Sequence, residues 1–132
     1  MNQPSNEQEA FLRGQRTGFL ATLRARGGPQ LTLIAYDFDG KDIVISTRAM
    51  RAKAKNVRRR PDVSLGVTDG RGYLTVYGKA RVVDDWDEVF RLHKERLGRI
   101  RSQPESDAAL TERLRSEERV VIVLTPEGYV SG

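Results

Sequence analysis

Short apolar runs rich in β-branched residues, broken at close intervals by tight turns, restrict the possible folds of this chain more than any other feature. Thr17-Gly-Phe-Leu-Ala-Thr-Leu23 runs into Arg26-Gly27-Gly28-Pro29 and resumes as Gln30-Leu-Thr-Leu-Ile-Ala-Tyr36. Asp37-Phe38-Asp39-Gly40-Lys41 reads as a second turn, and Ile43-Val44-Ile45-Ser46-Thr47 as a third strand. Connections this short cannot carry a crossover helix, so the three strands are expected to be antiparallel. Val63 to Thr68 and Tyr73 to Tyr77 repeat the pattern around Asp69-Gly70-Arg71-Gly72, the second run continuing through Gly78 towards Val83. Val120 to Leu124 is a continuous apolar strand that is expected to end before Pro126.

Helical signals fall between these runs. Ser5 with Gln8 fits a capping box ahead of Ala10, Phe11 and Leu12. Residues 49 to 60 are rich in Ala, Lys and Arg, and the Arg60-Pro61 step stops that helix because a residue before proline avoids the α region. Trp86, Val89, Phe90, His93, Leu97 and Ile100 recur at helical spacing over 85–102, and Leu110 and Leu114 anchor a last helix over Asp107 to Glu118. Six strands joined mainly by hairpins suit an antiparallel barrel better than alternating βαβ units. The expectation is an α+β, mainly β, protein with one domain over 1–132. At 132 residues its burial is incomplete, so a homodimer that extends the core is a natural addition.

Charge locates a candidate site. Seven of the 23 Lys and Arg residues lie between Arg48 and Arg60 with no acid among them, and those seven exceed the chain's net charge of +5. Such a focus implies a local anion, most simply a phosphate. Projected at 100° per residue, the helix puts Met50, Ala54 and Val57 on an apolar seam, with Lys53 and Asn56 on one outward flank and Arg51 and Arg58 on the other. Cations at a helix start oppose the dipole by ~0.3–1 kcal/mol, a cost an anion reverses. Free N–H groups, the hydroxyls of Ser46 and Thr47, and the side chains of Arg51 and Lys53 together describe a phosphate site. The competing reading is a solvated helix face. Nucleic-acid binding lacks the interleaved aromatic and basic pattern it needs.

The absence of cysteine excludes disulfides and thiol chemistry, and one histidine cannot build a multi-His metal site. The N-terminal residues show no basic leader, and no apolar run reaches membrane-spanning length, so a soluble cytoplasmic protein is expected. His93 reads as a packed or rim histidine, Trp86 as core or dimer interface, and Asp84, Asp85, Asp87 and Glu88 as an acidic first helical turn rather than a metal site.

Arg51-Ala-Lys53-Ala-Lys-Asn56-Val-Arg-Arg-Arg-Pro61-Asp-Val-Ser64 resembles the signature helix and following strand of the pyridoxamine-phosphate-oxidase-like split-barrel proteins. Thr17 to Leu23 with Gly28-Pro29-Gln30-Leu-Thr resembles their first hairpin, Ile43 to Thr47 their third strand, and Arg119 to Pro126 their last. The likeness runs from about Phe11 to Tyr129, and within the superfamily the chain is most similar to the actinobacterial deazaflavin-dependent reductases of the B type. The resemblance implies a homodimer of six-stranded antiparallel split β-barrels with two cofactor sites at the interface. The cofactor would be coenzyme F420 or flavin mononucleotide (FMN). Arg51 and Lys53 match residues that grip the cofactor phosphate, and Ser46 and Thr47 match strand-end positions lining its pocket. Met50, Ala52 and Asn56 match helix positions near the phosphate or ring, and Gln30 a position facing the ring. The turn at 69–72 departs from the pattern, with Arg71 near a place where relatives often carry a bulky aromatic.

F420 carries a phosphodiester and a polyglutamate tail, so seven cations in thirteen residues favour it over FMN. The implied activity is hydride transfer from reduced deazaflavin to a small electron-poor acceptor such as an enone or quinone-like compound, with no catalytic side chain and no metal, because the cofactor carries the redox chemistry. The alternatives are an FMN-dependent oxidoreductase of the pyridoxamine-phosphate-oxidase type and a non-catalytic flavin- or F420-binding carrier.

Overall fold

The computed structural model describes residues 3–100 and 103–132. In chain order the elements are α1 (Asn6–Gly14), β1 (Thr17–Leu23), β2 (Pro29–Ala35), β3 (Asp37–Phe38), β4 (Ile43–Arg48), α2 (Ala52–Arg59), β5 (Asp62–Thr68), β6 (Tyr73–Val83), α3 (Trp86–Arg99), α4 (Asp107–Ser116) and β7 (Arg119–Ser131). All strand pairs are antiparallel and form one curled sheet in the order β2-β1-β5-β6-β7-β4-β3, an α+β, mainly β design. No helix among the described residues is long and apolar enough to cross a membrane.

Curling puts one face of the sheet around a common core. Leu20, Ile45, Leu65, Val76, Ile122 and Leu124 meet there, closed at one end by Leu12 of α1 and at the other by Val57 of α2. A second, smaller core lies on the opposite face of β4 and β7, where Val44, Val121 and Val123 pack beneath Val89 and Leu92 of α3. Burial on both faces explains why Val120 to Leu124 is apolar without alternation. Trp86 packs against that second core, with the Arg115 guanidinium 4.1 Å from its ring centroid. The α1 capping box is present, and Asp85 caps α3 by accepting from the Glu88 N–H, while Asp84 pairs with Arg58 and Glu88 with Arg81 and Arg91.

Three features differ from the sequence reading. Asp37 and Phe38 pair with Val44 and Ile43, so there are seven strands rather than six: burial of Phe38 holds the chain extended, and the turn tightens to residues 39–42, where Asp39 Oδ1 accepts from the Lys41 and Asp42 N–H groups. The last strand does not end before Pro126. It passes through that residue at a β-bulge, where Gly78 pairs with Pro126 and Tyr77 with Gly128, leaving Glu127 unmatched. A bulge is where a strand tolerates proline. Gly78 permits the close approach, because a Cβ there would collide with the Thr125 carbonyl. Finally, α2 starts at Ala52 with Arg51 as its N-cap, and Arg48 closes β4. The expected end of α3 at 102 falls outside the described residues.

Candidate functional site

α2 leaves the end of β4 and returns to β5, packing on β1 and β6, so its N-terminus opens beside the hydroxyl-bearing end of β4. Beside it lies a cavity of about 480 Å³. Gln30, Ser46, Thr47, Arg51, Ala52 and Lys53, six of the eight residues singled out from the sequence, line it together. The other two sit elsewhere. Met50 is 59% exposed and packs in no seam, because the helix begins after it and its position belongs to the turn between β4 and α2. Asn56 does not look outward: it is buried, donating to Thr22 Oγ1 at 3.0 Å and to Gln30 Oε1 at 3.4 Å while its Oδ1 accepts from Arg59 at 2.5 Å. It therefore holds Gln30 from behind.

The cavity also takes in Thr32, Leu33, Arg48 and Arg119, which the sequence reading did not select. Thr32 was findable, since it lies two residues from Gln30 and so shares its face of β2. Arg119 left no local signal. It reaches the site only through cross-strand register, directly opposite Arg48. Like charges in that position repel, and neither Arg48, Arg51 nor Lys53 has a carboxylate within 4.0 Å among the described residues, whereas Arg119 donates to Glu117 at 2.9 Å. Burial, with Arg51 and Arg119 nearby, lowers the Lys53 pKa from its ordinary value. Three unpaired cations and Arg119 thus surround a concave surface that no acid among the described residues lines, which makes the groove electropositive.

A second lobe of about 320 Å³ shares Leu33, Ser46, Lys53 and Arg119 with the first and adds His93, Arg96, Leu97 and Arg113. His93, expected as a packed or rim residue, is 4% exposed yet tied to the site through Ser46 Oγ, 2.7 Å from its Nε2. Its Nδ1 lies 2.8 Å from the Val89 carbonyl oxygen. A carbonyl only accepts, so Nδ1 carries a hydrogen, and in the neutral ring Nε2 accepts from the Ser46 hydroxyl. Burial, followed by the nearby Arg96, Arg119 and Arg113, lowers the His93 pKa below its ordinary range despite the opposing Val89 bond.

Comparison with known proteins agrees with this architecture. The family model for pyridoxamine 5'-phosphate oxidase matches residues 5–130, and the chain belongs to that family. It is similar to an F420H2-dependent biliverdin reductase of Mycobacterium tuberculosis (strain CDC 1551 / Oshkosh), at 32% identity over 87 residues; the match spans 64% of this chain and 64% of that relative. Among solved structures, an F420 reductase superposes with a TM-score of 0.72 at 25% identity, covering 96% of this chain and 98% of that one. A conserved hypothetical protein of Mycobacterium tuberculosis superposes at 0.79 with 27% identity, covering 98% and 86%.

Proposed function

We propose that this protein is an F420-dependent oxidoreductase that passes a hydride from the reduced deazaflavin to a small electron-poor organic acceptor, working in the cytoplasm. The observation that carries this reading is the cavity of about 480 Å³, in which Arg48, Arg51, Lys53 and Arg119 converge on hydroxyls and a helix N-terminus, with no lining acid among the described residues. The donor set fits a phosphate-bearing cofactor. Arg51 offers a fork to two phosphate oxygens, Lys53 a point charge and Thr47 a hydroxyl, while Ser46, whose hydrogen is held by His93, lines the strand-end wall. Gln30, held by Asn56, sits on the β2 wall where it can orient a planar ring. The similarity to two F420-linked reductases supports the deazaflavin over FMN.

When bound, the cofactor supplies the two-electron chemistry, giving up a hydride from its central ring. The chain's own residues bind the phosphate, orient the ring and line the adjoining lobe, and no side chain serves as a nucleophile.

The active form is read as a homodimer. On the outer face of the sheet Phe19, Leu31, Leu33, Tyr73, Tyr77 and Val130 are large apolar residues left exposed. They share one face of paired strands, and Leu33 is also part of the cavity rim. A second copy covering that face would bury the patch and complete the rim. Fluorescence titration with F420 and with FMN tests the cofactor: tight F420 binding is expected, and tight FMN binding with none for F420 would overturn the choice. Oxidation of the reduced cofactor by a panel of enones and quinones separates enzyme from carrier.

A further inference from the structure

We propose that the second lobe is a subsite for the carboxylate of an apolar acceptor, with the Ser46–His93 pair as its positioning element. The proposal deepens the oxidoreductase reading by naming a substrate class, and it rests on that reading. Leu33 and Ala35, alternate residues on the outer face of β2, and Leu97 of α3 give the lobe its apolar side chains. The same lobe is lined by Arg96, Arg113 and Arg119, and by no acid among the described residues.

These cations differ in what they already hold. Arg113 donates to Glu105 at 2.7 Å and Arg119 to Glu117 at 2.9 Å. Arg96 is in no ion pair among the described residues, and its Nε is buried without a hydrogen-bond partner. With its neighbours already paired, Arg96 is the lining guanidinium left without a carboxylate. The nearby Asp37 carboxylate is engaged by Arg99. Apolar side chains and an unpaired guanidinium lining one cavity select a ligand with an apolar body and a planar anionic end.

Ser46 decides how that end is received. With His93 neutral, the Ser46 hydrogen is committed to Nε2 and the hydroxyl turns lone pairs towards the lobe, which repel a carboxylate. With His93 protonated, Nε2 donates to Ser46 Oγ and frees the hydroxyl hydrogen for the ligand. Carboxylate binding and proton uptake by His93 are therefore coupled. The charges acting on His93 are Arg96 on its own helix, Arg113 on α4 and Arg119 on β7, all cationic and all opposing protonation until an anion arrives, and Lys53 of α2 lines the same lobe.

Cinnamate and cinnamamide, alike in shape and different in charge, test the proposal. Both are titrated into the free protein and into protein saturated with F420. The imidazole resonance is followed by NMR, since the chain has a single histidine. Cinnamate is expected to bind at least tenfold tighter than cinnamamide near pH 6 and to move the resonance towards imidazolium, which cinnamamide leaves in place. Arg96→Met should lose at least tenfold in cinnamate affinity with F420 affinity unchanged. Should that variant fail to fold, His93→Gln should lose the rise of cinnamate affinity with falling pH. Equal affinities for the two probes, or an unmoved imidazole on cinnamate binding, would overturn the subsite. Failure of F420 to bind wild-type protein that still selects cinnamate would remove the cofactor reading and leave the subsite standing.

Discussion

Both faces of the first hairpin carry large apolar side chains, and these have opposite fates. Leu20 and Ile34 point into the barrel and are 0% and 6% exposed, while their chain neighbours Phe19 and Leu33 point out and are 54% and 63% exposed. The outward row continues across the sheet, from Leu33 to Phe19, Gly66, Thr75 and Val130. An ordinary half-buried sheet alternates apolar with polar. Here hydrophobicity on the inner face holds the fold, and the outer face is the one we propose a second copy covers. On this proposal the same residue types serve folding on one side and assembly on the other.

The sharpest way to break this distinction is to truncate both faces. Leu65→Ala removes a fully buried side chain and should lower the unfolding free energy by about 2–5 kcal/mol in denaturant titration. Leu31→Ser should shift the midpoint by no more than about 0.5 kcal/mol at low protein concentration, while abolishing the midpoint's rise with concentration that a dimer requires. If Leu31→Ser costs as much as Leu65→Ala, the outer face is part of the folding core and the contrast fails.

Next in size are changes where the inner face meets the groove. Asn56→Ala should destabilise by about 1–3 kcal/mol, since Thr22 Oγ1 is buried with it and loses its donor. The same variant should weaken F420 binding by freeing Gln30. Arg51→Ala and Lys53→Ala should each weaken F420 binding by about 1–3 kcal/mol with little change in the thermal midpoint, because neither stands in an ion pair the fold depends on. Fluorescence titration beside thermal unfolding separates these outcomes, and unchanged affinity in both cation variants would take them out of the site.

How much of this was legible in the sequence follows from the range of each interaction. Hairpins, caps and the basic helix are local, so Thr17–Leu23, the Ser5 capping box and the α2 cluster were readable. The strand through Pro126 was not, because the bulge that admits it depends on Gly78, far away in sequence. Asn56 projected outward on an ideal helix is buried because β1 and β2 close over that side, and Met50 is exposed because α2 starts later than the composition suggests. Arg119 and Arg96 joined the site through sheet register and helix packing, which no spacing rule encodes.

The smallest expected effect tests whether His93 belongs to the packed interior or to the groove. Its folded pKa lies below the ordinary value of 6.5, so between the two the unfolded chain binds more protons than the native one. Stability therefore falls as pH drops from about 6.5 through the folded value, and the loss is complete below it. Carboxylates whose pKa values are lowered in the fold, such as Glu105 and Glu117, lose their contributions only from about 4.5 downward, so the interval from 6.5 to 4.5 reports on His93. Denaturant midpoints across that interval should decline in the wild type and stay flat in His93→Gln. Adding phosphate at a concentration that fills the groove should flatten the wild-type decline as well, since the anion offsets the arginines that oppose protonation. A decline untouched by phosphate would place His93 with the interior and cut its link to the groove.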